Sequence, residues 1–228
     1  YEGSQAERAA WGWASNNSVV VDNESDFAGL AAQTAVNGEP GYVFMDNIRA
    51  FSRMSDPADF KDIKASGTNP CGEQTLESYE LCCLIETFPS RAESKEDYLR
   101  TLKFAYLLGK TATLVNTTWH ESNRVQKRNR RIGTSVSGIT NFLHHNPLES
   151  LRDWLDTGYK EIRKWDDIYS AWLAVPKSIK TTSVKPSGTV SLLAGVNPGC
   201  HFPESSFYIR RVRLAKSSRL APALLEAG

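Results

Sequence analysis

The pattern that most constrains this chain is the run 148–173, where Leu151, Trp154, Leu155, Tyr159, Ile162, Trp165, Ile168, Tyr169 and Trp172 recur at the spacing of one helix face. An apolar stripe of about seven turns needs a second layer of structure to cover it. The sequence supplies candidates for that layer. Apolar runs at 18–22, 42–45, 81–88, 132–136, 181–184 and 207–214 read as strands, and 26–36, 94–115 and 121–131 read as helices. Ser94 with Asp97 gives the second of these helices a capping-box start, and Asn37-Gly38 gives the first a stop. The segment 46–69 has little periodicity and reads as loop. The run 81–88 is continuously apolar, as an interior strand of a mostly parallel sheet is. Strands alternating with helices predict an α/β architecture.

Composition narrows the function classes. With 228 residues, 40% of them hydrophobic, the chain can bury a sizeable core. No stretch approaches the 18 or more apolar residues of a membrane helix, and residues 1–10 lack the pattern of a secretory signal. The net charge of +1 argues against a nucleic-acid partner or a polybasic membrane binder. It hides an asymmetry: residues 1–120 hold 10 basic against 17 acidic side chains, and residues 121–228 hold 17 against 9. An anionic ligand would favour the second half. Four cysteines, at 71, 82, 83 and 200, form no zinc-like spacing and no disulfide scaffold, which predicts no metal site and a reducing, cytoplasmic setting. The start at Tyr1 and the end inside an apolar run read as a piece of something longer.

Two segments carry chemistry. In Asn69-Pro70-Cys71-Gly72-Glu73 a thiol and a carboxylate stand two apart, flanked by the Pro and Gly of a tight loop. Such a pair suits a thiol-based reaction with acid–base assistance, and Asn69 adds an amide that can bond hydroxyls. An ordinary surface turn with an incidental cysteine is the alternative. In Lys185-Pro186-Ser187-Gly188-Thr189-Val190-Ser191, small residues, successive N–H groups and hydroxyls at a helix start suit a phosphate. The segment is not a Walker A sequence, and a plain strand-to-helix turn is the competing reading. Cys82 and Cys83, adjacent within the 81–88 strand, would point to opposite faces, so only one can share a cavity with Cys71. The basic clusters 127–131 and 210–213 read as solvated, as charge runs usually are. His120, His144, His145, Cys200 and His201 receive no catalytic role.

Taken together, Asn-Pro-Cys-Gly-Glu at 69–73, Glu80-Leu81-Cys82, Arg130-Arg131-Ile132-Gly133 and the segment 185–196 resemble the catalytic chain of ribonucleotide reductases. Ser15-Asn16-Asn17-Ser18-Val19, Gly38-Glu39-Pro40-Gly41 and the segment 208–213 make the likeness closest to the adenosylcobalamin-dependent ribonucleoside-triphosphate reductases. The resemblance implies part of a ten-stranded α/β barrel, its second half, with the catalytic cysteine on an inner loop, residues 1–228 forming a partial barrel domain. It implies that Cys71 becomes a thiyl radical that takes the ribose 3′ hydrogen. Glu73 would be the general base, Asn69 its orienting partner and Cys82 one member of the redox pair. Ser187, Gly188, Thr189 and Val190 would hold the phosphates of a ribonucleoside triphosphate. The cofactor it implies is adenosylcobalamin, and the partner a thioredoxin-like reductant acting on the full-length chain. The other redox cysteine would lie before Tyr1 and the recycling cysteines after Gly228, so the piece alone is expected not to turn over. A diphosphate-specific or iron-subunit-dependent reductase and a non-redox phosphate-binding module are the alternatives. The leading account requires a buried Cys71 sulfur sharing one chamber with Glu73, Cys82 and residues 187–190.

Overall fold

The computed structural model describes residues 17–207, 209 and 213–227. At its front, strand β1 (Ser18–Val20) pairs in parallel with β2 (Gly41–Val43), joined by helix α1 (Phe27–Asn37). Asp26 caps α1 by accepting the Gly29 N–H at 3.0 Å, and Gly38 ends it at φ +86°, where a side chain would be strained. The expected buried strand at 42–45 is shorter and partly open, because Met45 leaves it to start a six-residue helix, α2 (Met45–Ala50). Tyr42 and Phe44 remain about 40% exposed while Met45 is buried. Six residues are too few to register as a period, so the segment from 46 read as loop.

Strands β3 (Gly67–Thr68) and β4 (Thr75–Leu76) form an antiparallel hairpin. Strand β5 (Leu84–Thr87) then pairs in parallel with β6 (Gly133–Val136), and Thr134 bridges in parallel to Thr182. The apolar run from 81 enters the sheet only at Leu84: Leu81 and Cys82 are exposed, which corrects the placement of both cysteines inside the strand. Cys83 is the last loop residue, its carbonyl accepting the Gly133 N–H at 2.8 Å. The expected strand 181–184 is reduced to the Thr182 bridge. Of 207–214, the described residues form no strand, and the rest lie outside the described residues, as do residues 15 and 16.

Between β5 and β6 run helices α3 (Lys95–Ala112) and α4 (His120–Asn129); α5 (Ile139–His145) and α6 (Leu148–Trp172) follow β6. Ser94 caps α3, its hydroxyl accepting the Asp97 N–H at 3.2 Å. The stripe of α6 lies on α3: Tyr98, Leu102, Tyr106, Ile132, Ile162 and Tyr169 form the core, none more than 3% exposed. Each such side chain contributes about 1.5–3 kcal/mol by leaving water. Gly158 lets the helices close, since a Cβ there would sit 2.7 Å from Leu102 Cδ1. Among the described residues, no helix is long and apolar enough to cross a membrane.

Two buried ion clusters fix the layers. Lys110, fully buried, donates to Asp166 Oδ1 at 2.7 Å and to Ser178 Oγ and the Pro176 carbonyl at 3.0 Å, using all three protons. Arg131, expected in a water-facing cluster, is also fully buried, and Arg130 nearly so. Arg131 clasps Asp62 with bonds of 2.7 and 2.6 Å and meets Glu80 at 3.0 Å and Thr75 at 2.7 Å. A charge run reads as solvated only when no acids converge on it, and these acids come from the segments on either side of the β3–β4 hairpin, about 50 to 70 residues upstream. Arg131 thereby ties the β3–β4 hairpin to the start of β6.

Candidate active site

The hairpin loop between β3 and β4 is fixed by its own backbone. The Asn69 N–H donates to the Gln74 carbonyl, the Gln74 N–H to Asn69 Oδ1, and the Gly72 N–H to the Asn69 carbonyl, at 3.0, 3.0 and 2.9 Å. Gly72 turns at φ +78°, a conformation suited to glycine. Cys71 stands at the tip and is exposed, and Glu73 folds back, its side chain only 3% exposed. Its Oε1 accepts the Lys185 ammonium at 3.0 Å, while Oε2 is buried without a hydrogen-bond partner. Burial works against the charge of Glu73, but the Lys185 ammonium and the Asn69 amide outweigh it and hold the carboxyl below its ordinary value. A charged carboxylate with one oxygen free of hydrogen bonds results.

Cys82 comes to the same place from the far side of the hairpin, with Asn69 Nδ2 3.8 Å from its sulfur. Although the residue as a whole is exposed, the atoms crowding its sulfur desolvate the thiol and, reinforced by the negative charge of Glu73, push it up to about 11, with Lys185 opposing. Cys82 therefore carries its proton at neutral pH. Cys83 points away, its sulfur 3.6 Å from the Gly109 carbonyl against the helical core, with burial raising its pKa. Only one of the adjacent thiols reaches the loop.

Residues 183–191 close the arrangement. Ser183 Oγ donates to the Glu73 carbonyl at 2.8 Å, and the Lys185 N–H donates to Ser135 Oγ at 2.8 Å. Ser135 in turn donates to Glu86 at 3.2 Å, a carboxyl that burial raises. Two residues beyond Lys185, Ser187 is buried, whereas Gly188, Thr189 and Val190 are exposed and lead into the short helix α7 (Val190–Leu193). Lys185, Glu86 and Ser135 were not singled out as site residues from sequence. The signal for Lys185 was its place at the head of the 185–191 segment.

The structure thus gathers Asn69, Glu73, Cys82 and Lys185 beside Cys71, with 187–190 following directly from Lys185. It does not bury Cys71, nor does it enclose the set. A cavity of about 510 Å³ lies behind the site, lined by Ser135 and Ser183 together with Tyr98, Tyr159 and Ile162, but not by Cys71, Glu73 or Cys82. The expectation of a buried sulfur in one chamber gives way to an exposed hairpin tip over a buried carboxylate. A loop of 68–75 has too few layers around it here to be covered. Among the described residues no group of three His, Cys, Asp or Glu side chains assembles to hold a metal.

No family model matches the chain. It is 56% identical over 223 residues to a probable adenosylcobalamin-dependent ribonucleoside-triphosphate reductase of Dictyostelium discoideum, covering 97% of this chain and 29% of that protein. It is 49% identical over 221 residues to the adenosylcobalamin-dependent ribonucleoside-triphosphate reductase of Euglena gracilis, covering 97% and 30%. The chain is a homologue of ribonucleotide reductase catalytic chains. The crystal structure of a B-12 dependent (class II) ribonucleotide reductase superposes on this reductase homologue with a TM-score of 0.78 at 33% identity, over 87% of this chain and 32% of that one. The class Id ribonucleotide reductase alpha subunit of Actinobacillus ureae shares the fold, with a TM-score of 0.54 at 18% identity over 76% and 38%. The homologue spans about 30% of the length of these curated relatives.

Proposed function

We propose that these 228 residues are part of the catalytic barrel domain, its second half, of an enzyme that reduces ribonucleoside triphosphates to 2′-deoxyribonucleoside triphosphates. The observation that carries the reading is the convergence of Glu73, Asn69, Cys82 and Lys185 beside the exposed Cys71. The names of the relatives support the substrate class and adenosylcobalamin as cofactor. The exposed sulfur of Cys71 is accessible to so large a group from the open side of the hairpin, and Cys71 is the residue that would face it. When bound, adenosylcobalamin supplies the one-electron oxidation that leaves Cys71 a thiyl.

The chain's own residues account for the rest. The Cys71 sulfur takes the 3′ hydrogen of the ribose, and Glu73 Oε2, buried and unpartnered, takes the proton of the 3′ hydroxyl. Asn69 orients both the base and Cys82. The 2′ hydroxyl leaves as water while Cys82 and a second thiol are oxidised to a disulfide, giving up two electrons and two protons. Glu73 then gives its proton back to the 3′ oxygen, and Cys71 returns its hydrogen to C3′ and is a thiyl again. A thioredoxin-like reductant restores the dithiol for the next turnover. Ser187, Gly188, Thr189 and Val190 hold the phosphates at the exposed turn ahead of α7. Four free cysteines suit a reducing, cytoplasmic setting for such chemistry.

The test is deoxynucleotide formation by the full-length protein. Turnover should require adenosylcobalamin and vanish in Cys71→Ser. Turnover without the cofactor, or retained by Cys71→Ser, would overturn the reading.

A further inference from the structure

We propose that Lys185 is a positioning residue of this site, the cation that holds the Glu73 carboxylate charged and aimed with Oε1 occupied and Oε2 left for the substrate. The inference rests on the base role of Glu73 and adds a residue to it. Three observations carry it. The ammonium sits 3.0 Å from Oε1, with the Glu73 side chain 3% exposed and the Lys185 side chain 30% exposed, so water reaches the pair from the lysine side only. Exposed lysine–carboxylate pairs contribute little, but a pair with one desolvated partner decides how that partner titrates. The lysine is itself held at its root, because its N–H donates to Ser135 and its carbonyl accepts the Ser187 N–H at 2.9 Å. Finally, the groups facing the ammonium are those of the proposed reaction: Glu73, Cys71 and Cys82 from the hairpin side, with the Glu86 carboxyl on β5, which burial raises, also within reach of its charge.

The geometry also sets an orientation. Glu73 has two oxygens and its backbone is fixed by Ser183. With Lys185 on Oε1, a partial rotation of the carboxylate breaks the ion pair and a half-turn only exchanges equivalent oxygens, so one oxygen stays paired and the other position stays unpaired. Lysine at this position does two things with one bond: it keeps the base deprotonated and it occupies one carboxylate oxygen, leaving the other position to act. Neither requires Lys185 to touch the substrate.

The sign of the effect follows. Glu73 acts as a base only when ionised, and the lysine lowers its pKa. Lys185→Gln removes the charge and keeps a donor, so the pKa of Glu73 rises. The acidic limb of the kcat/KM–pH profile should move to higher pH. The loss should be about ten-fold or more on that limb and should shrink as pH rises. Lys185→Arg, which restores the charge, should return the limb toward its original position. A second readout needs no turnover: Lys185 opposes the raised pKa of Cys82, so Lys185→Gln should move the Cys82 alkylation midpoint further up. Measured in the full-length protein, a loss equal at every pH with an unmoved Cys82 midpoint would overturn the proposal. Glu73→Gln in the same background separates it from the reading beneath: if that variant turns over normally, the base role of Glu73 fails. If it is inactive while the Lys185→Gln limb stays in place, only the role of Lys185 fails.

Discussion

Cys82 shows how a side chain's surroundings set its chemistry. A free thiol titrates near about 8.5, whereas desolvation and the Glu73 charge push this one up to about 11. Alkylation by iodoacetamide, which needs the thiolate, should therefore rise with a midpoint near pH 11, followed by mass spectrometry at Cys82. Glu73→Gln removes the neighbouring charge and should lower that midpoint; an unchanged midpoint would mean the two groups do not face each other. The residues of this cluster were unequally legible. Asn69, Cys71 and Glu73 lie within five positions, so a short window exposes them. Lys185 is 112 positions from Glu73, and the ion pair between them exists only once the 183–187 segment crosses the hairpin. Arg131 was misread for the same reason: its acids, Asp62 and Glu80, are remote in sequence and adjacent in space.

At the scale of elements, stripe and cap carried most of the information. Helix α6 begins and ends within a residue of its apolar pattern, and α3 begins where Ser94 caps it. What no pattern revealed is that a charge joins them. Lys110 on α3 and Asp166 on α6 are both buried, with the Tyr106 hydroxyl donating to Asp166 Oδ1 at 2.7 Å and the Ser178 N–H to Oδ2 at 2.9 Å. Lys110→Met leaves that carboxylate without its cation and should destabilise the fold by about 3–5 kcal/mol. The double variant Lys110→Met, Asp166→Leu should recover most of the loss, as read from denaturant midpoints; a double variant no better than the single one would show that the cluster does not act through charge. The hairpin responds to pH through Asp62, where hydrogen bonds and charge from Arg131 prevail over burial and lower the carboxyl's pKa. A depressed carboxyl contributes stability above its unfolded value and loses it as pH falls through the native one. Hydrogen exchange at Gln74 and Thr75 should therefore accelerate only in acid below the ordinary aspartate range, and Arg131→Met should bring that acceleration to higher pH. Exchange independent of pH in both proteins would remove Arg131 as the anchor.

The molecule as a whole leaves large apolar side chains open: among the described residues, Leu193, Phe207, Ile209 and Leu225 are each at least 83% exposed. Among the described residues the sheets are two-stranded, so every one has open edges. An interior strand pattern such as 81–88 predicts neighbours on both sides, and β5 has one, β6. The α/β architecture was therefore legible as local strands and helices, whereas the closed sheet that the resemblance implied is not formed among the described residues, since closure depends on pairings these residues do not make among themselves. Open edges and apolar faces are where chains associate. Produced by themselves, residues 1–228 should enhance the fluorescence of a hydrophobic dye and elute from a sizing column as concentration-dependent oligomers, whereas a chain of the relatives' full length should do neither. A monodisperse monomer with no dye signal would mean that these faces are covered by the segment itself, and that the exposed hairpin carrying Cys71 is a finished surface rather than one that further chain covers.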